Sequence, residues 1–210
     1  MKSHTKGNIS VLVPLIGIIV FVILYVVATW FYPGGSNVDT TTVGFHWKNN
    51  CWGDLVSYTA KNGTVNPARP IALIALVILC STLAVFWFYV SRLFIENNFN
   101  QVVRYSGISS MSATIFLFTG YHDAVINVAG ILGIIALIGL FTGLYKNNLI
   151  KLFYYGIFCL VLMFFIYFIY QTKILISILP MLQKVTFGLL LSWFGLIDIY
   201  LYRISRLGNQ

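Results

Sequence analysis

Acidic side chains are nearly missing from this sequence. Five Asp and Glu residues occur in 210, and charged residues of both signs make up 9%, against about 25% in an ordinary soluble domain. With 59% of residues hydrophobic and a mean hydropathy of +0.88, a soluble fold of this length could not hide its apolar surface. Lipid resolves the excess, and in lipid only helices and closed barrels satisfy their own backbone. The short alternating strands of a barrel are absent, and long unbroken apolar runs stand in their place. The chain therefore reads as an all-α polytopic membrane protein.

Other absences narrow the function. The three cysteines, Cys51, Cys80 and Cys159, imply no disulfide framework, since two fall mid-span and Cys51 falls in a loop. Cys51 is a candidate free thiol. No Gly-x-Ser-x-Gly, P-loop, His-Glu-x-x-His or dinucleotide fingerprint occurs, so no cofactor is implied. No internal repeat supports an inverted-repeat transporter. The net charge of +8 carries no basic stripe with interleaved aromatics in a water-exposed segment, which removes nucleic acid as a partner.

A helical span needs about 20 apolar residues. Six such runs are present, at about residues 9–31, 70–95, 103–120, 124–145, 151–170 and 181–202. They predict one domain over 1–210, a bundle of six transmembrane helices. The first run follows Lys2 and Lys6 but is too long for a signal peptide and lacks a small-x-small cleavage site, so it reads as an uncleaved anchor. Pro14 predicts a mild kink in it, and Pro70 suits the first helical position of the second run.

Residues 32–69 form the one long hydrophilic segment, and its aromatic content argues against disorder. We expect it to fold as an outer cap that shields Trp47 and Trp52, with a short amphipathic helix near residues 54–61. Within it Asn62-Gly63-Thr64 fits a glycosylation sequon.

Orientation follows from Lys and Arg, whose excess belongs inside. Lys2, Lys6, Arg92, Arg104, Lys146, Lys151, Arg203 and Arg206 collect on one side. Lys48, Lys61, Arg69, Lys173 and Lys184 collect on the other. Both termini are then cytoplasmic, and the long loop is outside.

The outer ends bring together Asp54, Arg69, His122, Asp123, Gln183 and Lys184. Polar groups at membrane depth are costly and tend to line cavities or pair, so these six form the candidate site; the alternative is an ordinary wet interface. A His beside a carboxylate suits a general base or a metal ligand. Zinc needs three or four ligands, however, and His46 and Asp54 join His122-Asp123 only if the loop folds over that hairpin. Asp123 equally serves as a helix cap, and no metal is assigned. Arg69 or Lys184 is the expected ion-pair partner of Asp123. Asp198, the one acid within a span, lies about 7.5 Å along the axis from Arg203, off the midplane position a proton-coupled carrier requires. A hydrogen bond to a neighbouring helix explains it. Ala129, Gly133, Ala136, Gly139 and Gly143 on the fourth run, and Ser106, Ser109, Ser110 and Ser112 on the third, form small-residue packing surfaces.

The layout resembles the bacterial six-span proteins of the domain-of-unknown-function 998 type, distantly similar to the Frag/DRAM/Sfk group. The resemblance rests on Trp52-Gly53-Asp54-Leu55 in the outer loop, the His122-Asp123 hairpin and the Gly-rich stretch 130–143. Leu179-Pro180-Met181-Leu182-Gln183-Lys184 leading to Trp193 completes it. It implies a six-helix bundle in a bacterial inner (plasma) membrane and supplies no catalytic residues. The leading functional expectation is a non-enzymatic protein that binds or senses a lipid or small molecule at its outer mouth, with membrane lipid as partner. The aromatic-rich stretch 153–170 offers contact with acyl chains. The rival is a membrane-embedded hydrolase or transferase acting on lipid at the outer leaflet through His122 and Asp123 with His46 or Asp54.

Overall fold

In a chain this apolar, every backbone amide must find its partner within the protein, and the structure meets that demand with helices. It is a computed structural model that describes residues 9–94, 99–116 and 122–207. The described residues hold six α-helices: α1 (Val13–Trp30), α2 (Arg69–Phe94), α3 (Phe99–Ile115), α4 (His122–Lys146), α5 (Ile150–Thr172) and α6 (Leu179–Leu207). No strand occurs among them, only the isolated bridges Gly34↔Val43 and Thr59↔Val65.

Proline marks where helices start. α1, α2 and α6 each carry proline as their second residue, at Pro14, Pro70 and Pro180. There the missing amide hydrogen has no intrahelical bond to lose. Near Pro14, where a mild kink is expected, a 3-10 turn, Ile9–Leu12, gives way to α1 proper.

Five stretches are long and apolar enough to cross a membrane: Ser10–Trp30, Arg69–Arg92, Ala124–Lys146, Ile150–Thr172 and Ile176–Arg206. The exception is α3. Its 17 described residues reach only about 25 Å at 1.5 Å each, against a hydrocarbon core of about 30 Å. It begins in Phe99-Asn100-Gln101 and carries Arg104, ahead of the expected start at 103. Residues 117–120 of the expected third span lie outside the described residues.

The chain forms two compact units, with α1, α2, α5 and α6 contributing residues to both. The helix unit takes in the chain up to residue 19, residues 77–155 and the chain from 193 onward. Here α3 packs closely on α4. Its buried face, Val103, Ser106, Gly107 and Ser110, follows the i, i+3, i+4, i+7 spacing of one helix side. Ser110 Oγ donates to the Ala129 carbonyl at 2.8 Å, and Ala129 and Ala136 are buried. Ser109 and Ser112, expected on this surface, face outward. Close approach is enforced by glycine: a Cβ on Gly107 would collide with the Trp87 ring, and one on Gly139 with the Val103 side chain. Trp193 anchors the same unit, stacked on Phe141 at 5.5 Å between centroids with its Nε1–H donating to the Leu152 carbonyl at 2.8 Å.

Asp198 is fully buried here. Its Oδ2 accepts the Leu15 backbone amide of α1 at 3.2 Å, the neighbouring-helix bond expected from sequence. Leu15 follows Pro14 in the first turn of α1, where amides lack intrahelical acceptors. The second carboxyl oxygen, Oδ1, has no hydrogen-bond partner among the described residues.

The loop unit takes in residues 20–76 and 156–192. The amphipathic helix expected near residues 54–61 is not formed. A 3-10 helix, Trp52–Val56, is followed by a tight turn in which the Ala60 amide bonds the Thr64 carbonyl and the Gly63 amide the Ala60 carbonyl. Asn62, whose Oδ1 accepts from the Thr64 amide and hydroxyl, favours that turn over a helix.

Gly107→Ala and Gly139→Ala should each destabilise the detergent-solubilised protein by about 1–3 kcal/mol, the usual cost of overpacking a filled contact. Gly130→Ala, on the same helix as Gly139 but with open space at its Cβ, should melt at or above the wild-type temperature. Equal melting of all three variants would remove close helix approach as the reason for these glycines.

Candidate functional site

A long loop with few apolar residues cannot be held by burial alone, and two buried asparagines supply what burial lacks. Asn50 is fully buried. Its Nδ2 donates to the Gly35 carbonyl at 2.8 Å and to Asp54 Oδ2 at 3.0 Å, and its Oδ1 accepts the His46 amide at 2.9 Å. Asn66, 3% exposed, sends Nδ2 to the carbonyls of Asp54, Leu55 and Ser57 and accepts the Ala68 amide. Gly35, at φ +80°, touches the backbone of Lys61 and Asn62 where a Cβ would collide. These bonds fold residues 33–68 upon themselves.

α6 then fastens the loop. Gln183 Oε1 accepts the Trp52 amide at 3.1 Å, and Lys184 Nζ donates to the Asn50 and Pro180 carbonyls. From α1, Tyr25 donates its hydroxyl to the Trp52 carbonyl at 3.3 Å. Aromatic rings fill the joint. Trp52 meets Tyr25 at 5.0 Å, Trp47 at 5.7 Å and Phe45 at 6.4 Å between centroids, and the Lys184 ammonium lies over the Phe45 and Trp52 rings. The shielding expected of both tryptophans is only half realised. Trp52 is half-buried, but Trp47 remains 47% exposed, because it packs one edge on Phe45 and Trp52 and presents the rest to the exterior.

Of the six candidate residues, three come together in this unit. Asp54, 6% exposed, accepts Asn50 Nδ2 and the Cys51 amide on Oδ2 and has Lys61 Nζ 3.7 Å from Oδ1. Gln183 and Lys184 reach the adjacent backbone, as above. Arg69 belongs to the same unit but turns away, its Nε donating to the Val56 carbonyl at 3.2 Å and its guanidinium over Tyr58. His122 and Asp123 open α4; their side chains, like Gly120-Tyr121, lie outside the described residues, and with them the proposed hairpin chemistry. Among the described residues no group of three or more His, Cys, Asp and Glu could hold a metal.

Beside Asp54 opens a cavity of about 690 Å³, within the range of small-molecule sites, lined from two sides. Asn37, Cys51, Asp54 and Lys61 of the loop and Lys173 of the α5–α6 turn make its polar end. Met163, Ile166, Tyr167 and Tyr170 on one face of α5, with Ile176 and Leu179, make its apolar wall. A second cavity of about 200 Å³ shares Met163, Ile166 and Gln183 and continues between α5 and α6 along Thr186, Phe187 and Leu190. Sequence reasoning missed Lys61, Lys173 and the α5 face as site residues. The 163, 166, 167, 170 spacing was the available signal, hidden within a stretch that is aromatic all round.

The chemistry of this end is restrained. Burial pushes the Cys51 thiol up and the Asp54 carboxylate beside it adds to that, against smaller opposite effects of Lys184 and Lys61. A thiol held protonated is a poor nucleophile. Tyr32, whose oxygen accepts the Lys61 amide at 3.0 Å, is likewise raised, by burial first. His46 engages through its backbone and does not line the cavity. The arrangement suits holding a molecule more than cleaving one.

Asn50→Ala should orphan the His46 amide and the Gly35 carbonyl, at about 1–3 kcal/mol for each buried group left unpaired, and open residues 33–68 to protease. Asp39→Asn, in an exposed turn closed by Thr41, should leave the digestion pattern unchanged. Matching patterns for the two variants would show that Asn50 does not organise the loop.

Comparison with family models, curated proteins and solved structures finds no match to this chain.

Proposed function

We propose that this protein is an integral membrane protein of six spans that binds a lipid or small amphiphile in the cavity between its long loop and helices α5 and α6. The observation that carries the reading is the graded wall of that cavity. Hydrogen-bonding and charged groups from the loop meet an apolar channel running on between two helices. Water favours a polar ligand at one end and expels an alkyl chain at the other, so an amphiphile satisfies both. Tyr167, Tyr170 and Ile176 on the rim are 58%, 56% and 43% exposed, which gives a membrane lipid a way in from the side. Burial pushes the Cys51 thiol of the lining up, which disfavours nucleophilic attack by that residue and supports binding over catalysis.

In this reading the loop caps the outer face, α3 completes the sixth span, and both termini lie in the cytoplasm of a bacterial inner membrane. It is also the arrangement that the resemblance of the sequence to the domain-of-unknown-function 998 proteins leads one to expect.

Ile166→Trp should fill the cavity and strip co-purifying lipid, as read by native mass spectrometry from mild detergent. Phe164→Trp, at a 71% exposed position of α5, should retain the wild-type lipid. Wild-type protein free of lipid, or equal retention in both variants, would defeat the binding reading. The topology has its own test. Reporter fusions within residues 37–61 and after Gln210 should report opposite sides of the membrane. The same side for both would mean that α3 does not cross and that five spans are the true count.

A further inference from the structure

Four charged side chains border the cavity or its fastening, and they are not equivalent. Asp54 spends its carboxylate inside the loop, with Oδ2 taken by Asn50 Nδ2 and the Cys51 amide. Lys184 spends its ammonium on the Asn50 and Pro180 carbonyls. Lys61 is different. It stands 3.7 Å from Asp54 Oδ1 with its side chain 40% exposed, well beyond the roughly 2.7–2.9 Å of a charge-assisted hydrogen bond. It is held by a loose ion pair alone, with no hydrogen bond as short as those of Asp54 and Lys184. Lys173 rests over the Tyr170 ring at 4.0 Å, and among the described residues no carboxylate pairs with it. The backbone at Lys173 has φ +59°, at a helix end where glycine is the usual residue. Lys173 shares this left-handed backbone with Leu175, two residues on.

A second observation lies deeper, at Thr186. In the helices Thr82, Thr114, Thr142 and Thr172 each return their hydroxyl to the carbonyl four residues back. Thr186 does not. It is 2% exposed, lines the smaller cavity, and its Oγ1 has no partner among the described residues. A buried hydroxyl without a partner is costly, and the space it borders is where a ligand would supply one.

We propose that the occupant is an acyl-ester lipid with an anionic phosphate head: the head lies with Lys61 and Lys173, the chain runs between α5 and α6, and an ester oxygen accepts the Thr186 hydroxyl. This rests on the amphiphile reading above and adds its charge and its polar foothold. Two lysines at the mouth, one loosely paired with Asp54 and one with no carboxylate partner among the described residues, favour a net-anionic phosphate head over a zwitterionic one. A hydroxyl within the apolar channel selects an ester over a plain hydrocarbon.

The test uses the full chain in mild detergent, with dioleoyl phosphatidylglycerol, dioleoyl phosphatidylcholine and inorganic phosphate as probes and retention by native mass spectrometry as readout. Wild type should retain phosphatidylglycerol over phosphatidylcholine by about tenfold, as expected for two lysines near an anionic head. Lys173→Gln, which breaks no ion pair, should cut that ratio severalfold, and Lys61→Gln with Lys173→Gln should bring it near one while phosphatidylcholine binding persists. Thr186→Val should weaken both lipids alike and leave the ratio intact. Millimolar inorganic phosphate should not displace the lipid. Equal retention of both lipids by wild type would overturn the headgroup assignment and leave the amphiphile reading standing. Retention of neither would overturn both, and displacement by phosphate alone would make this an anion site with no need of a chain.

Discussion

The side chain of Asn50 ties together stretches of the loop unit that lie far apart in the chain. It is an amide without water around it, placed so that each of its polar atoms finds a partner: the Gly35 carbonyl, the Asp54 carboxylate and the His46 amide. Its backbone carbonyl in turn receives the ammonium of Lys184 from α6. Buried polar groups are stabilising only when fully satisfied, and here satisfaction requires three stretches of the loop and one helix to be in register together. The orientation of Asp54, the position of Cys51 and the polar end of the cavity all follow from that register.

Elsewhere the chain relies on contact instead of polarity. In lipid, helices gain little from hiding apolar surface from one another, so close packing and interhelical hydrogen bonds have to hold them. Gly107 against Trp87, Gly139 against Val103, and the Ser110 hydroxyl on the Ala129 carbonyl are the means in the helix unit. Asp198 follows the same logic with a carboxyl group. One oxygen accepts the Leu15 amide in the first turn of α1.

The cavity exists because α5 and α6 do not use this packing throughout. Along Met163, Ile166 and Tyr167 on one helix and Gln183, Thr186 and Leu190 on the other, large flexible side chains border space. A bundle that needed only to be stable would close such a gap, since atoms facing a void forfeit dispersion contacts. The polar groups around it divide into those the fold has spent and those it has not. In the reading proposed above, that division sets which ligand the cavity prefers.

Much was determined by the sequence alone. Helical class follows from apolar runs too long for strands and too continuous for a soluble core, and helix starts follow from Pro70 and Pro180. Asp54, Gln183 and Lys184 could be grouped in advance because they are the polar residues flanking neighbouring apolar runs, and depth in a membrane is a one-dimensional coordinate that a sequence encodes directly. Tertiary structure decided what depth does not specify, namely direction around each helix and the path of the loop. It turned Arg69 toward Val56, left Trp47 exposed, replaced an expected helix at 54–61 with a turn, and drew Lys61 and Lys173 to one cavity. Those outcomes depend on hydrogen bonds between residues as far apart as Trp52 and Gln183. Neither residue's type nor its spacing announces such a partner, because geometry is settled only when every buried amide and carbonyl is satisfied at once.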